Sequence, residues 1–256
     1  MKASHRDPLR VVVVGAAGRM GRMLRRVIED DPRFTVAAHV DRNAPRGEAG
    51  WFGALGEVST GADGVIEFTL GGAVGEIARA AAAKGWPLVS AATGLSPDDE
   101  AGLQAAAGTI PVLHASNLSL GMALLRRCLR EVAARAPEGV EAEIVEIHHG
   151  GKRDAPSGTA RALFGDWSRS RSAALREVHG RSGAAGPRRS DEVGVHAVRL
   201  GNVVGEHRVF LALPGGERLE LGHMVTDRAS FARGALLALE RLQESPPGLY
   251  AVEDLY

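Results

Sequence analysis

The residues best suited to chemistry lie in one short segment, between His148 and Thr159. His148 and His149 end an apolar run that predicts a strand, so we expect their rings to point to opposite sides and to serve different roles. Gly150 and Gly151 then free the backbone, and Lys152 supplies a compact cation that can also donate a proton. A proton donor and a cation this close together predict an active site.

An expected anion site follows directly, because Pro156-Ser157-Gly158-Thr159 opens a predicted helix. The first turn of a helix presents unbonded backbone N–H groups and the positive end of the helix dipole. With two hydroxyls added, this turn is suited to a carboxylate or a phosphate. Adjacent histidines chelate metals poorly and no close acid–histidine partner follows, so we predict no metal site. A solvated loop is the alternative interpretation of the whole segment.

A glycine-rich segment, Gly15–Gly21, lies between a predicted strand and a predicted helix. Glycines there let the backbone turn tightly and approach a pyrophosphate at the helix N-terminus. The spacing is G-x-x-G-x-x-G rather than G-x-G-x-x-G, with Ala17 in the second glycine position. The residues expected to bind the dinucleotide are Gly15, Ala16, Ala17, Gly18, Arg19 and Met20.

The end of the second predicted strand carries Asp41 followed by Arg42. An acid at this point hydrogen-bonds the adenosine ribose of NAD, whereas an arginine can contact the 2′-phosphate of NADP. Having both residues predicts that either NADH or NADPH serves as cofactor. The alternative is a glycine-rich turn with a solvated Asp–Arg pair.

Strands alternate with helices through the first half of the chain, which predicts a parallel sheet. The predicted strands are Val11–Val14, Val36–Asp41, Val65–Phe68, Pro87–Ala91 and Ile110–His114, and the predicted helices are Arg19–Glu29, Glu76–Lys84, one beginning at Ser96, and Ser119–Ala136. The second half is mixed, with strand Val140–His148, helix Thr159–Trp167, an antiparallel block of Val193–Leu200, Val203–Leu213 and Leu219–Val225, and a closing helix Ser230–Gln243.

The fold class is therefore α/β, with an N-terminal Rossmann-type parallel sheet domain and a second α+β domain that carries an open mixed or antiparallel sheet. The closing helix is expected to return to the first domain. This gives a dinucleotide-binding domain of residues 1–117 and 230–256, and a substrate-binding and oligomerisation domain of residues 118–229. The second domain contains the Arg-rich segment Arg169–Asp191, which we interpret as a mobile surface loop with solvated charge. An anion site is the alternative.

Composition narrows the possible partners. The 256 residues contain 31 basic and 31 acidic side chains, so the net charge is zero and neither a nucleic-acid partner nor a membrane partner is expected. A lone cysteine, Cys128, excludes an intramolecular disulfide, and no stretch approaches the length of a membrane span. We expect a cytoplasmic protein.

The segment His148-His149-x-x-Lys152-x-Asp154-Ala155-Pro156-Ser157-Gly158-Thr159-Ala160 resembles the signature of the 4-hydroxy-tetrahydrodipicolinate reductase (dihydrodipicolinate reductase) family of lysine and diaminopimelate biosynthesis. Gly18-Arg19-Met20-Gly21, Gly205-Glu206-His207 and Gly216–His223 are similar to other parts of the same family. The resemblance implies NADH- or NADPH-dependent reduction of a small cyclic imine dicarboxylate to tetrahydrodipicolinate by a homotetramer.

The resemblance also implies a role for each residue of the signature. His148 would be the proton donor or acceptor, Lys152 a second donor and carboxylate contact, and His149, Gly158 and Thr159 the substrate contacts, joined by the Ser157 hydroxyl. The cofactor residues implied beyond the glycine segment and Asp41–Arg42 are Ala91, Ala92, Thr93, Ser116, Asn117, Leu118 and Ser119.

Some of these positions depart from the family pattern. Ala91-Ala92-Thr93-Gly94 stands where the family has Gly-Thr-Thr-Gly, and Leu118 where it has Phe. A paralogous reductase of another cyclic imine carboxylate is therefore one alternative. A non-catalytic sensor of NAD(P) is a second, although such a protein has no use for a proton donor beside an anion site.

Overall fold

The computed structural model describes residues 7–45, 47–171 and 174–256. In it the chain divides into two units, one formed by Met1–Ser119 with Ala229–Tyr256 and the other by Leu120–Arg228. The domain boundaries expected from the sequence lie within two residues of these divisions. The α/β class with a Rossmann-type first sheet is confirmed.

The first unit is built on a seven-stranded sheet in the order β12-β6-β5-β4-β1-β2-β3, in which every neighbouring pair is parallel. Its strands are β1 (Leu9–Val14), β2 (Phe34–Val40), β3 (Trp51–Phe52), β4 (Gly64–Glu67), β5 (Leu88–Ser90), β6 (Pro111–His114) and β12 (Gly248–Tyr250). The valines Val11–Val14 are buried on both faces of the sheet, as expected for a central parallel strand. The carboxyl ends of these strands share one edge, where ligands of open α/β sheets bind.

Four helices belong to this unit: α1 (Arg19–Glu29), α2 (Val74–Lys84), α3 (Pro97–Ala106) and α6 (Ala229–Leu242). Helix α3 begins as its sequence predicts, since the Ser96 hydroxyl accepts a hydrogen bond from the Asp99 amide and Pro97 occupies the first turn. Helix α2 ends at Gly85 in the left-handed conformation. Helix α6 packs against α1, which confirms that the closing helix returns to the first unit.

The second unit has a five-stranded sheet in the order β11-β10-β7-β9-β8. Its strands are β7 (Glu141–His148), β8 (Arg176–Val178), β9 (Glu192–Arg199), β10 (Gly205–Ala212) and β11 (Arg218–Val225), and its helices are α4 (Leu120–Arg135) and α5 (Gly158–Arg169). Side chains of both helices pack with alternate residues of β7, including Ala142 and Ile144, in one apolar core. Among the described residues, no helix has both the length and the apolar composition needed to cross a bilayer.

The sequence interpretation of the second sheet was wrong in two respects. Strand β9 does not belong to an antiparallel block, because it pairs in parallel with β7 and β8, whereas β10 is antiparallel to both β7 and β11. The segment expected to be a loop contains β8, and residues 172 and 173 of it lie outside the described residues. Strand order is set by pairing between distant segments, which a local pattern does not encode. The short edge strands β3 and β12 were also missed.

Candidate active site

The glycine segment of the first unit folds as a tight turn between β1 and α1. Gly15 has φ +77°, and a Cβ on it would lie 2.8 Å from the Phe68 carbonyl oxygen, so only glycine fits. Gly21 lets α1 approach the turn, because its Cβ would lie 2.1 Å from the Gly15 carbonyl oxygen. Gly18 is the N-cap residue of α1 and has no side chain with which to cap the helix. The N–H groups of the first turn of α1 are therefore left for a ligand.

Asp41 is tied to this turn by hydrogen bonds. Its Oδ2 accepts the Ala17 amide at 3.0 Å, and its Oδ1 accepts the Asn43 amide at 2.9 Å. Each carboxylate oxygen keeps a second lone pair for a ribose hydroxyl. Arg42 is exposed and lines the same groove. The structure thus places the predicted acid beside the predicted glycine segment.

A groove of about 660 Å³ runs along this turn and is lined by Gly15, Ala17, Gly18, Asp41 and Arg42, together with residues that follow β4. A dinucleotide fits the chemistry of this lining, because Gly18 at the N-terminus of α1 lines the groove together with the Asp41 carboxylate and the Arg42 guanidinium.

A second cavity of the first unit, about 500 Å³, brings together Ala92, Thr93 and Ser116 at the carboxyl ends of β5 and β6. The two cavities together hold eight of the predicted cofactor residues, whereas the other seven line neither of them: Ala16, Arg19, Met20, Ala91, Asn117, Leu118 and Ser119. Ala16, Ala92 and Leu118 have buried side chains, so any contact they make with a ligand is limited to the backbone or to a small part of the surface. The departure from the family pattern at Leu118 consequently lies in the protein interior.

The same edge holds a hydrogen-bonded chain that the sequence interpretation missed. Buried Glu67 ends β4 and accepts hydrogen bonds from the amide and hydroxyl of Thr69, at 2.7 and 2.8 Å, and from the hydroxyl of Ser90. The Ser90 hydroxyl lies 3.2 Å from His114 Nδ1, and His114 lines the second cavity. Burial lowers the pKa of His114. The available signal was a polar residue at the end of each of three neighbouring apolar strands.

In the second unit, His148 ends β7 and its ring is held by a buried carboxylate. His148 Nδ1 lies 2.5 Å from Glu146 Oε2, and the Glu146 side chain is fully buried. A Cβ on Gly205 would lie 3.1 Å from His148 Nε2, so the absence of a side chain there leaves this nitrogen uncovered. Burial lowers the pKa of His148, and the hydrogen bond to Glu146 opposes this shift. The imidazole is consequently neutral at neutral pH.

Lys152 lies in the loop after β7, where its Nζ pairs with Asp154 Oδ1 at 2.8 Å. This ion pair lowers the pKa of Asp154. The Lys152 amide donates to the His149 carbonyl oxygen, which closes a turn over Gly150 and Gly151. The ammonium of Lys152 is thus paired with an exposed carboxylate, that of Asp154. A substrate carboxylate can replace Asp154 as the partner of this ammonium.

The start of α5 separates the roles of Ser157 and Gly158. The buried Ser157 hydroxyl accepts the Ala160 amide at 3.1 Å and lies 3.2 Å from His207 Nε2, so it acts inside the protein. We had expected two hydroxyls to face the ligand, and the structure instead gives Ser157 to the helix cap. Gly158 is exposed, and a Cβ on it would meet no atom within 4 Å. Thr159, next to it, is partly exposed.

The Arg-rich segment is not a free anion site. Each of its six arginines, at 169, 171, 176, 181, 188 and 189, bonds a carboxylate or a carbonyl oxygen of the second unit. Glu143 collects Arg181, Arg188 and His196, and the pKa of Glu143 is lowered to about 2, because these hydrogen bonds outweigh its burial. Arg181 and Arg188 fix the segment to the sheet through Glu143, whereas Arg169, Arg176 and Arg189 stay more than half exposed, in agreement with the expected surface charge.

Comparison with known proteins gives one consistent result. The family model for the N-terminus of dihydrodipicolinate reductase matches residues 9–118, and the model for its C-terminus matches residues 121–256. The chain is 42% identical over 257 residues to 4-hydroxy-tetrahydrodipicolinate reductase of Thermomicrobium roseum. The alignment covers 96% of this chain and 99% of that protein. It is 37% identical over 247 residues to the protein of the same name from Caldanaerobacter subterraneus subsp. tengcongensis, with coverage of 96% and 98%.

Solved structures are similar in fold. Dipicolinate-bound dihydrodipicolinate reductase from Paenisporosarcina sp. TG-14 superposes with a TM-score of 0.81 at 22% identity, covering 97% of this chain and 100% of that one. GenD2 of gentamicin A biosynthesis, in complex with NAD, gives a TM-score of 0.60 at 15% identity, with coverage of 100% and 92%.

Proposed function

Because the chain belongs to the dihydrodipicolinate reductase family, we propose that it reduces 4-hydroxy-tetrahydrodipicolinate to tetrahydrodipicolinate with NADH or NADPH, in lysine and diaminopimelate biosynthesis. The two family models and the similar reductases confirm the family resemblance found in the sequence. The observation that carries the proposal is the arrangement after β7, where a positioned imidazole, a lysine ammonium and an open helix N-terminus follow one another.

The second unit holds the residues that we assign to the substrate. His148 presents Nε2 for proton transfer and Lys152 holds a proton on its ammonium, while neutral His148 has a lone pair with which to accept one. A dicarboxylate substrate needs cationic and amide partners, which we assign to Lys152, His149 and the first turn of α5 at Gly158 and Thr159. Ser157 supports that turn as its cap.

The first unit holds the residues that we assign to the cofactor. We assign the pyrophosphate to the turn before α1, the adenosine end to Asp41 and Arg42, and the nicotinamide to the edge lined by Thr93 and Ser116, with Ala91, Asn117 and Ser119 beside them. When bound, the reduced nicotinamide would supply the hydride for the conjugated imine that forms when the substrate loses water, and the Lys152 ammonium would supply the proton that completes the reduction. The side chains of this unit contribute orientation and the exclusion of water.

The functional division of the chain extends the same proposal. Residues 1–117 and 230–256 form the dinucleotide-binding domain, and residues 118–229 bind the substrate and form the contacts of a homotetramer. A cytoplasmic location is expected for such a biosynthetic enzyme.

The test is the consumption of NADH or NADPH, followed by absorbance, with the substrate made in situ from pyruvate and aspartate semialdehyde by a coupled synthase. We expect rapid consumption, and a loss of about 100-fold or more in turnover for His148→Gln with little change in substrate affinity. A folded wild-type protein that binds NADH but consumes none would instead favour a paralogous reductase of another cyclic imine acid. Unchanged turnover in His148→Gln would remove His148 from the mechanism.

A further inference from the structure

The carboxylate of Glu146 is a fully buried charged group of the second unit, as is that of Asp166 on α5. Glu146 lies on β7 two residues before His148, on the same face of the strand, and its side chain is fully buried. A buried carboxylate is unfavourable unless each oxygen is hydrogen-bonded. Glu146 therefore needs a hydrogen-bond donor at each of its carboxylate oxygens.

Every recorded partner of Glu146 is a hydrogen-bond donor. Oε2 is 2.5 Å from His148 Nδ1 and 2.9 Å from Arg199 Nη1. Oε1 accepts the Ser157 amide at 2.9 Å and Arg199 Nη2 at 3.0 Å. Burial raises the pKa of Glu146, but the hydrogen bonds from Arg199, His148 and Ser157 outweigh it and the net shift is downward. Since the ionised carboxylate only accepts, the shared proton stays on His148 Nδ1 and Nε2 keeps its lone pair.

Arg199 balances the charge of this carboxylate. It lies at the end of β9, directly opposite His148 in the parallel register, and its guanidinium also donates to the Asp154 carbonyl oxygen at 2.6 Å. A buried carboxylate alone would stabilise the imidazolium of a neighbouring histidine. The Arg199 guanidinium, which is paired to this carboxylate in a bidentate manner, opposes that effect at His148.

We propose that Glu146 and Arg199 act together as positioning residues for His148, Glu146 by fixing the Nδ1–H tautomer with Nε2 directed to the substrate, and Arg199 by keeping the imidazole neutral in the resting enzyme. The inference deepens the proposed function, because it rests on His148 as the proton-transfer group. In the described part of the chain, the groups that face His148 include Glu146 on β7, Arg199 on β9, Lys152 in the following loop, and His207 on β10, whose ring lies edge-on at 5.2 Å.

Glu146→Gln tests the tautomer. The glutamine NH₂ can take the place of Oε1, where it meets the donors of Ser157 and Arg199, or the place of Oε2, where it meets Arg199 and His148. Of these partners only His148 can release its Nδ1 proton and accept a hydrogen bond from the NH₂. The substitution therefore moves the His148 proton from Nδ1 to Nε2. We expect turnover to fall by about 100-fold or more with KM changed only a few-fold.

The tautomer itself is read by NMR of isotope-labelled histidine in the substrate-free protein, with His148→Gln used to assign the signal. Wild type should carry the proton on Nδ1 and Glu146→Gln on Nε2. A wild-type proton on Nε2 would overturn the proposal, whether or not the variant folds. Because this measurement needs no turnover, an inactive wild type would refute the proposed function while leaving the tautomer result readable.

Arg199→Gln tests the charge balance. Removing the guanidinium leaves Glu146 uncompensated beside His148, so the pKa of His148 should rise by about one unit or more, in the NMR titration and in the pH profile of kcat/KM. Arg199→Lys keeps the charge and should keep the titration close to wild type. An unshifted titration in Arg199→Gln would overturn the role given to Arg199.

Glu143→Gln is the matched control. Glu143 lies on the same strand and bonds a histidine and two arginines, His196, Arg181 and Arg188, on the opposite face from His148. Loss of this carboxylate should leave turnover and the His148 tautomer as in wild type. If Glu143→Gln lowered turnover as much as Glu146→Gln, a general loss of sheet packing would explain both and the proposal would fail.

Discussion

Asp41 contributes to the first unit in two ways. Its carboxylate holds the amides of Ala17 and Asn43, and we expect its remaining lone pairs to bind the adenosine ribose. Arg42, the next residue, is exposed at the same groove. The two neighbours therefore differ in kind: the acid is part of the turn, whereas the arginine is a separate charge that only one of the two cofactors can use.

Arg42→Ala should weaken NADPH binding by about tenfold or more and leave NADH binding nearly unchanged. A hydrogen bond between charged partners contributes about 1.5–3 kcal/mol, and only NADPH carries the 2′-phosphate. The dissociation constants would be measured for both cofactors by calorimetric titration. Arg10→Ala is a suitable control, because Arg10 is an exposed arginine of the same unit that pairs with Asp63. Equal losses for the two cofactors would show that Arg42 does not distinguish them.

At the scale of elements, the contact between α1 and the turn before it sets the cofactor half of the site. Gly21→Ala would normally favour a helix. Here the added Cβ would lie 2.1 Å from the Gly15 carbonyl oxygen and 2.7 Å from the Ala16 Cα, and backbone atoms cannot move aside as a flexible side chain does. We expect a loss of about 1–3 kcal/mol in the free energy of unfolding and weaker binding of both cofactors.

Urea unfolding and NADH titration would measure the two effects of Gly21→Ala. Gly56→Ala is the stability control, since a Cβ on Gly56 would meet no atom within 4 Å. A Gly21→Ala protein as stable as wild type would mean that α1 shifts away from the turn without cost. The close approach would then not be required by the fold.

Elements with a strong local signal were predictable from the sequence. The valine run of β1, the Ser96-Pro97 start of α3 and the Gly85 end of α2 each carry their own cause in adjacent residues. Strand β9 was assigned to the wrong neighbour, because its apolar pattern is the same whether it pairs with β7 or β10. Local sequence indicates that a strand exists, and long-range packing chooses its partner.

The site shows the same division. His148, Lys152 and the start of α5 follow one another in sequence and could be predicted as a group. Arg199 is 53 positions from Glu146 and reaches it only through the pairing of β9 with β7. Glu146 itself was within reach, because residues two apart on a strand share a face. The sequence interpretation assigned roles to the histidines of this segment and none to the acid beside them.

At the scale of the whole molecule, each unit has its own apolar core and its own acid-sensitive histidines. Burial lowers the pKa of His39 and His114 in the first unit and of His148, His207 and His223 in the second. Each of these side chains is neutral in the folded protein at a pH where the unfolded chain is protonated. The unfolded state then binds more protons, so stability falls as the pH falls.

His207 gives the largest expected effect of this kind. It is almost fully buried beside His148, and burial lowers the pKa of His207 to about 3, with repulsion from His148, once that ring is protonated in acid, as the next cause. Its contribution to stability is complete above the unfolded pKa of about 6.5 and is lost as the pH falls from there towards the folded value. Between about pH 7.5 and about pH 5, His207 alone should lower the free energy of unfolding by about 2 kcal/mol.

Urea unfolding of wild type and of His207→Gln at the two pH values would test this directly. Glutamine can accept the hydrogen bond from Ser157 but carries no titrating group, so the variant should lose about 2 kcal/mol less than wild type on acidification, whatever its stability at the higher pH. His179→Gln, at an exposed position of the same unit, should follow wild type. If His207→Gln and wild type had the same pH dependence, protonation of His207 would not be what destabilises the fold in acid, and the remaining histidines or the ion pairs of Glu143 would have to account for it.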